Sequence, residues 1–209
     1  MKILEIKSLA LPEIKVVRFG RFHDERGFFS ETFRSSDFTA ANGLGFLEGE
    51  TFVQFNESFS RTGVVRGLHF QWQPPMGKLV RTLYGRMVDL ALDIRPGSPR
   101  MGKIIAYEMP GAEDRDYDEW IWVPPGFAHG NFFSAPTRIE YLCTAVYNPS
   151  CESGVNPLDR ELDWSLCDKT LAGEYLDLIG GEPVISAKDR EACSLAEWME
   201  RPEAKTFSC

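Results

Sequence analysis

Apolar and polar residues alternate along this chain in short runs, and most runs are closed by glycine or proline. Gly20, Gly27, Gly63, Gly67, Pro74-Pro75, Gly77, Gly85, Pro96-Gly97, Pro110-Gly111, Pro124-Pro125-Gly126 and Gly130 separate segments rich in Val, Ile, Phe, Tyr and Trp. β-Branched and aromatic side chains suit a pleated, half-buried surface, so the spacing predicts many short strands in a sandwich or barrel. The clearest segments are Lys78–Tyr84 and Arg86–Ile94. In the second, Val88, Leu90, Leu92 and Ile94 share one face, while Met87, Asp89, Ala91 and Asp93 share a mixed one. Gly85 between the two segments predicts a tight hairpin. Further strands are predicted at Val16–Phe19, Phe28–Thr32, Thr51–Phe59, Val65–Gln71, Lys103–Glu108, Trp120–Val123, Gly130–Phe133 and Ile139–Tyr147. Helical signals are few. Ser36–Asn42 has Ser35 or Ser36 as N-cap and Gly43 as stop, and Leu195–Met199 lies near the C-terminus. The acidic stretch Gly111–Glu119 reads as a solvated loop. No repeat, low-complexity tract or linker divides the chain. One domain over residues 1–209 is expected, with a core of about 15–149 and a C-terminal segment, 150–209, packing on it.

Composition narrows the function more than the fold. The 209 residues are 43% hydrophobic and include 15 Phe and 5 Trp, ample material for a core. A net charge of −8 argues against a broad nucleic-acid or membrane surface, yet leaves room for a small anion held by a few local arginines. Charged residues interrupt Met1-Lys2-Ile3-Leu4-Glu5-Ile6-Lys7, so no signal peptide is expected, and no run approaches the roughly 18 apolar residues of a membrane span. Five scattered cysteines without a CxxC pair predict reduced thiols and a cytoplasmic protein.

Only three histidines are present: His23, His69 and His129. A β-barrel with histidines raises a metal site first, but the usual HxH pair reads His69-Phe70-Gln71, which lacks the second ligand. A site of two histidines and one carboxylate stays open. On a regular strand Arg66 and Leu68 would share one face, and Gly67, His69 and Gln71 the other. A lone strand histidine is ordinarily a hydrogen-bonded sheet residue. His69 stands out because Gln54, Asn56, Lys78 and Arg81 lie in neighbouring short runs. Asp24-Glu25-Arg26-Gly27 is either a turn presenting one guanidinium or a solvated charged turn. The stretch from Trp122 to Gly130, with Pro124-Pro125-Gly126 and His129, is either a rigid wall of a site or a cap on the core.

Together these segments resemble the dTDP-4-dehydrorhamnose 3,5-epimerase family of sugar-nucleotide epimerases. The resemblance rests on Phe19-Gly20, Asp24 to Glu31, Phe52 to Ser58, Val65 to Gln71, Gly77 to Arg81, Asp89 to Arg95, Ser98-Pro99, Trp122 to Gly130, Tyr141 to Pro149 and Ile185 to Asp189, in the family's order over about residues 15–189. It implies an all-β, cupin-like jelly-roll β-barrel with a few short peripheral helices. It also implies a homodimer in which the N-terminal part of one subunit completes the site of the other, no metal and no cofactor. It assigns a catalytic base to His69, its orienting carboxylate to Asp189, an acid to Tyr141 and an enolate-stabilising cation to Lys78. Arg66 and Arg26 match diphosphate-binding positions; Gln54, Asn56 and Glu31 match the nucleotide and sugar pocket; His129 and Asp89 match pocket-side positions. The chain departs from the family pattern at Phe55 and Pro125, across 150–182, and beyond Asp189.

The residue types suit the chemistry the resemblance implies. A C4 ketone makes the C3 and C5 hydrogens of a hexose removable, because the carbanion spreads onto oxygen as an enolate. Histidine is the side chain whose unperturbed pKa lies nearest neutrality, a nearby lysine stabilises the enolate, and a phenol near pKa 10 can return a proton to the other face. Guanidinium forks bind phosphate oxygens in pairs. The expected reaction is therefore epimerisation of a nucleotide-diphosphate 4-keto-6-deoxyhexose at C3, C5 or both. A metal-dependent cupin enzyme, a sugar-nucleotide ketoisomerase and a non-catalytic sugar-nucleotide-binding protein are the alternatives.

Overall fold

The computed structural model describes all residues from Met1 to Cys209. Its strands are β1 (Ile3–Ser8), β2 (Lys15–Gly20), β3 (Phe22–Asp24), β4 (Gly27–Phe29), β5 (Gln54–Ser60), β6 (Val65–Gln71), β7 (Lys78–Asp93), β8 (Ile104–Gly111), β9 (Tyr117–Val123), β10 (Phe127–Phe133), β11 (Thr137–Cys143) and β12 (Glu152–Gly154). The α-helices are α1 (Lys169–Gly180), α2 (Ala187–Arg190) and α3 (Leu195–Met199). Every pairing between these strands is antiparallel. One sheet runs β1-β2-β9-β7-β11-β5. The other runs β8-β7-β10-β6-β12. Strands β3 and β4 form a separate hairpin. The architecture is the expected all-β jelly roll with short peripheral helices. The two sheets are joined along β7 rather than closed into a continuous barrel.

The hairpin expected at Gly85 is absent, and its two arms form one continuous strand. Residues 78–84 of β7 pair with β11, and residues 85–92 pair with β8 in the second sheet. The commonest hairpin needs two loop residues, so a single glycine bends a strand more readily than it reverses one. Gly85 has φ 86°, and a Cβ there would sit 2.7 Å from Thr137 Oγ1. The period of two holds in both halves. Met87 and Ala91 join Val16, Val80, Ile121, Phe127, Phe133 and Ile139 between the sheets. Val88, Leu90 and Leu92 face the other way.

Part of each outer face is covered too. The apolar face of β6, β7 and β10 lies beneath Tyr175 of α1, Trp198 of α3 and Phe207. The opposite sheet buries Val17, Phe19, Leu79, Trp120 and Trp122 against Phe38, Leu44 and Leu47. Helix α1 was not among the predicted elements, although its signals are local. Asp168 accepts hydrogen bonds from the Thr170 and Leu171 N–H groups, at 2.9 and 3.1 Å. Leu171, Ala172, Tyr175, Leu178 and Ile179 then fall at helical spacing, and Gly180-Gly181 ends the run. The helix expected at Ser36–Asn42 is instead two 3₁₀ turns, Ser35–Asp37 and Ala40–Asn42, stopped at Gly43 with φ 75°. Strand β9 starts at Tyr117, which shortens the predicted acidic loop.

Trp198 is fully buried, with its ring centroid 4.4 Å from that of Phe70, the neighbour of His69. Trp198→Ala is expected to destabilise the fold by about 3–5 kcal/mol. Urea titration of the two proteins checks this, and an unchanged midpoint would mean that the C-terminal segment contributes little to the core.

Candidate active site

The site is built on an irregularity in β6. Opposite this strand, His129 pairs with His69 and Asn131 pairs with Arg66. Two residues are traversed on β10 while three are traversed on β6, so β6 carries a β-bulge at Gly67-Leu68. Gly67 has φ 107°, and a Cβ on it would stand 2.6 Å from Gly130 Cα and 2.7 Å from His129 O. The bulge corrects the simple alternation expected for this strand. Leu68 drops into the core, and Arg66 and His69 line the same cleft.

The cleft has two lobes of about 530 and 330 Å³ that share His69, Lys78 and Tyr141. His69 comes from one sheet and Tyr141 from the facing sheet. Helix α2 carries Asp189 over the bulge. Its N-cap is Ser186, whose Oγ accepts from the Asp189 N–H at 3.1 Å. The Asp189 carboxylate sits 2.6 Å from His69 Nε2 and accepts a 3.4 Å hydrogen bond from the Gly67 N–H. Burial works against the charge on Asp189, but His69, Gly67 and Ser186 outweigh it and hold the carboxyl below its usual range. Asp189 therefore stays ionised at neutral pH. With Nε2–H donated to the carboxylate, Nδ1 is left as the basic nitrogen of the His69 ring.

Desolvation lowers the Lys78 pKa, while the charges of Cys143, Glu152 and Asp89 act the other way. Desolvation raises that of Tyr141, with Cys143 adding to it, so the phenol keeps its proton across the neutral range. A second pair lies beside the first: the buried His129 places Nε2 2.7 Å from Asp89 Oδ2. Gln54 and Asn56 line the smaller lobe and are linked by a 3.1 Å hydrogen bond from Gln54 Nε2. Arg66 reaches the larger lobe, its Nε donating to Ser60 Oγ at 2.9 Å.

Thus His69, Asp189, Tyr141, Lys78, Gln54, Asn56, Arg66 and His129 come together, and other expected residues do not. Arg26 is on the exposed β3–β4 hairpin, paired with Asp24 at 2.6 Å. Glu31 pairs with Arg34 and with the N-terminal amine. Neither lines a lobe. Arg81 leaves the polar cluster, pairing with Glu140 and lying over the Trp120 ring. No group of three or more His, Cys, Asp or Glu side chains converges as metal ligands would. The sequence reading missed Asn131, Cys143, Tyr147, Glu152 and Lys188 as lining residues. For Asn131 and Cys143 the available signal was alternation, since each lies two residues from an expected site residue on its own strand.

Fold and cleft define a cupin-like protein whose cleft gathers a histidine–aspartate pair, a lysine and a tyrosine. The family model for dTDP-4-dehydrorhamnose 3,5-epimerase matches residues 8–197. A relative of that name in Methanothermobacter thermautotrophicus is 38% identical over 84% of this chain and 86% of its own length. One in Neisseria gonorrhoeae is 41% identical over 71% of this chain, a match that spans only 43% of that longer protein. Among solved structures, dTDP-6-deoxy-D-glucose-3,5-epimerase from Legionella pneumophila, in complex with dTDP-4-keto-L-rhamnose, superposes with a TM-score of 0.77 at 35% identity, covering 96% of both chains. The chain belongs to the dTDP-4-dehydrorhamnose 3,5-epimerase family of isomerases.

The bulge sets the direction of both Arg66 and His69, so Gly67 is expected to tolerate no side chain. Gly67→Ala should cost about 1–3 kcal/mol from backbone conformation alone, with the contact against Gly130 adding to it. Chemical denaturation of the variant measures the loss. Wild-type stability would show that β6 and β10 can separate at this point.

Proposed function

We propose that this chain epimerises a nucleotide-diphosphate 4-keto-6-deoxyhexose of the dTDP-4-dehydro-6-deoxyglucose type at C3, C5 or both, a step of deoxysugar biosynthesis. The observation that carries this reading is a histidine and a phenol on facing sheets of one cleft, with a lysine common to both lobes. His69 Nδ1 takes a proton from a carbon beside the C4 ketone, and the electron pair moves to the ketone oxygen. Asp189 holds the ring in the required tautomer and stabilises the imidazolium that forms, as an aspartate does for other catalytic histidines. Lys78 offsets the negative charge on the enolate oxygen. Tyr141 returns a proton from the facing sheet, so the carbon inverts. No step calls for a metal or a cofactor.

The diphosphate is assigned to the rim of the larger lobe, where Arg66 and Lys188 supply positive charge within an acidic protein. Gln54 and Asn56 line the smaller lobe, which is assigned to the nucleotide. Arg26 and Glu31 are assigned to the site of a second copy in a homodimer. Two features support the dimer. The β3–β4 hairpin leaves Phe22, Phe28 and Phe29 50%, 45% and 68% exposed. Strand β5 pairs with β11 alone and exposes Phe55 and Phe59 on its outer face. A bare edge strand and uncovered aromatics are surfaces a partner would bury. The five free thiols are in keeping with the cytoplasm.

In deuterated water, His69→Ala is expected to abolish deuterium uptake at C3 and C5 of the 4-keto sugar nucleotide and to lower turnover by about 10²–10⁴-fold. Retained uptake would remove His69 as the base. Tyr141→Phe should reduce inverted product more than exchange, and equal losses would remove Tyr141 as the opposite-face acid. Proton NMR reads both. Arg26→Ala should raise KM while sedimentation still reports a dimer; an unchanged KM would take Arg26 out of the partner's site.

A further inference from the structure

Two buried acceptors on adjacent strands lack a donor: Asp89 Oδ1 and Asn131 Oδ1. The residues stand directly opposite each other in the register of β7 and β10. Asp89 is 1% exposed and Asn131 is 4% exposed. Asn131 lines the larger lobe with His69, Lys78 and Tyr141. The other Asp89 oxygen is already taken by His129 Nε2. A buried acceptor left unsatisfied forfeits its hydration without replacement, and two on facing residues of adjacent strands also repel. A half-turn of the Asn131 amide about its last side-chain bond removes both orphans. Nδ2 would then be the donor for Asp89 Oδ1, across the register pair, and Oδ1 would face the lobe that Asn131 lines.

We propose that Asn131 is a specificity residue of this site, its amide oxygen accepting a hydrogen bond from a hydroxyl on the substrate's sugar ring, with Asp89 fixing the amide. The assignment rests on the epimerase reading and deepens it. In this arrangement the Asp89 carboxylate holds two lining side chains, accepting from His129 on one oxygen and from Asn131 on the other. Of the hydroxyls on a 4-keto-6-deoxyhexose ring joined to diphosphate at C1, those at C2 and C3 remain to be recognised. A site built to bind a hydroxyl rejects the analogue lacking it, because its own polar group is then left unpaired. Asn131 would thus select ring hydroxylation, separately from the groups that move protons.

The test uses the full chain, Asn131→Ala and Asn131→Leu, with four probes: dTDP, the 4-keto-6-deoxyglucose nucleotide and its 2-deoxy and 3-deoxy analogues. Calorimetry gives each Kd, and initial rates give KM and kcat separately. Asn131→Ala is expected to weaken binding of the hydroxylated sugar nucleotide by about tenfold, the scale of one hydrogen bond. Its Kd for dTDP should stay within about twofold, and kcat should change less than KM. Asn131→Leu should bind still more weakly, because it buries the substrate hydroxyl without a partner. One deoxy analogue should weaken wild-type binding by the same factor, and combining it with Asn131→Ala should lose nothing more. Losses that multiply for both analogues would overturn the proposal, as would an equal loss for dTDP. If Asn131→Leu fails to fold, the alanine variant carries the same comparison. Binding is read apart from turnover, so a wild-type protein that binds these nucleotides without exchanging protons would defeat the epimerase reading while still deciding the role of Asn131.

Discussion

The close approach of β6 to β10 at Gly67 and Gly130 is the constraint on which the cleft depends. A Cβ on Gly130 would lie 2.5 Å from Arg66 O, just as one on Gly67 would strike Gly130. Two glycines let the backbones meet, and the resulting bulge turns Arg66 and His69 into one cavity while Leu68 keeps its place in the core. The same bulge frees the Gly67 N–H, which points at the Asp189 carboxylate. His69, its contact with Asp189 and the rim Arg66 therefore share a single local cause. A regular strand here would keep the hydrogen bonds of the ladder and lose the site.

Rigidity around this point comes from burial on both sides of the sheets. The β7 strand from Met87 to Asp93 is buried on both faces because one side meets the interior and the other meets α1 and α3. The C-terminal segment contributes twice. Trp198 and Tyr175 cover the apolar back of the sheet that carries His69, and α2 brings Asp189 to its front. A loose back wall would let His69 drift from the carboxylate that sets its tautomer.

Charge inside the cleft is arranged in opposing pairs. Asp189 faces His69 and Asp89 faces His129, and Glu152 ties Lys188 at the rim. Burial pushes Lys78 and Tyr141 in opposite pKa directions, lowering one and raising the other. Burial favours the neutral form of both, and the charges of Glu152 and Asp89 act to keep the Lys78 ammonium. The net charge of −8 is a sum over the whole chain and says little about a cleft lined by Arg66, Lys78 and Lys188.

Local chemistry along the chain was enough for the strand content, while the family and most candidate site residues were legible only through the resemblance that the ordered motifs carry. Glycine, proline and alternating apolar residues act over a few positions, so Val65–Gln71 and Leu195–Met199 were legible with their ends correct. Tertiary structure decided what depends on partners distant in sequence. A lone Gly85 can bend or help reverse a strand, and only the partners β8 and β11 select the bend. The face of Arg66 follows from a bulge that exists because β10 passes close by. Asn131 reads as one amide in an apolar strand until the fold sets it opposite Asp89, where its unpaired oxygen has a meaning. Alternation is a property of one strand, whereas register, bulges and orphaned acceptors are properties of two.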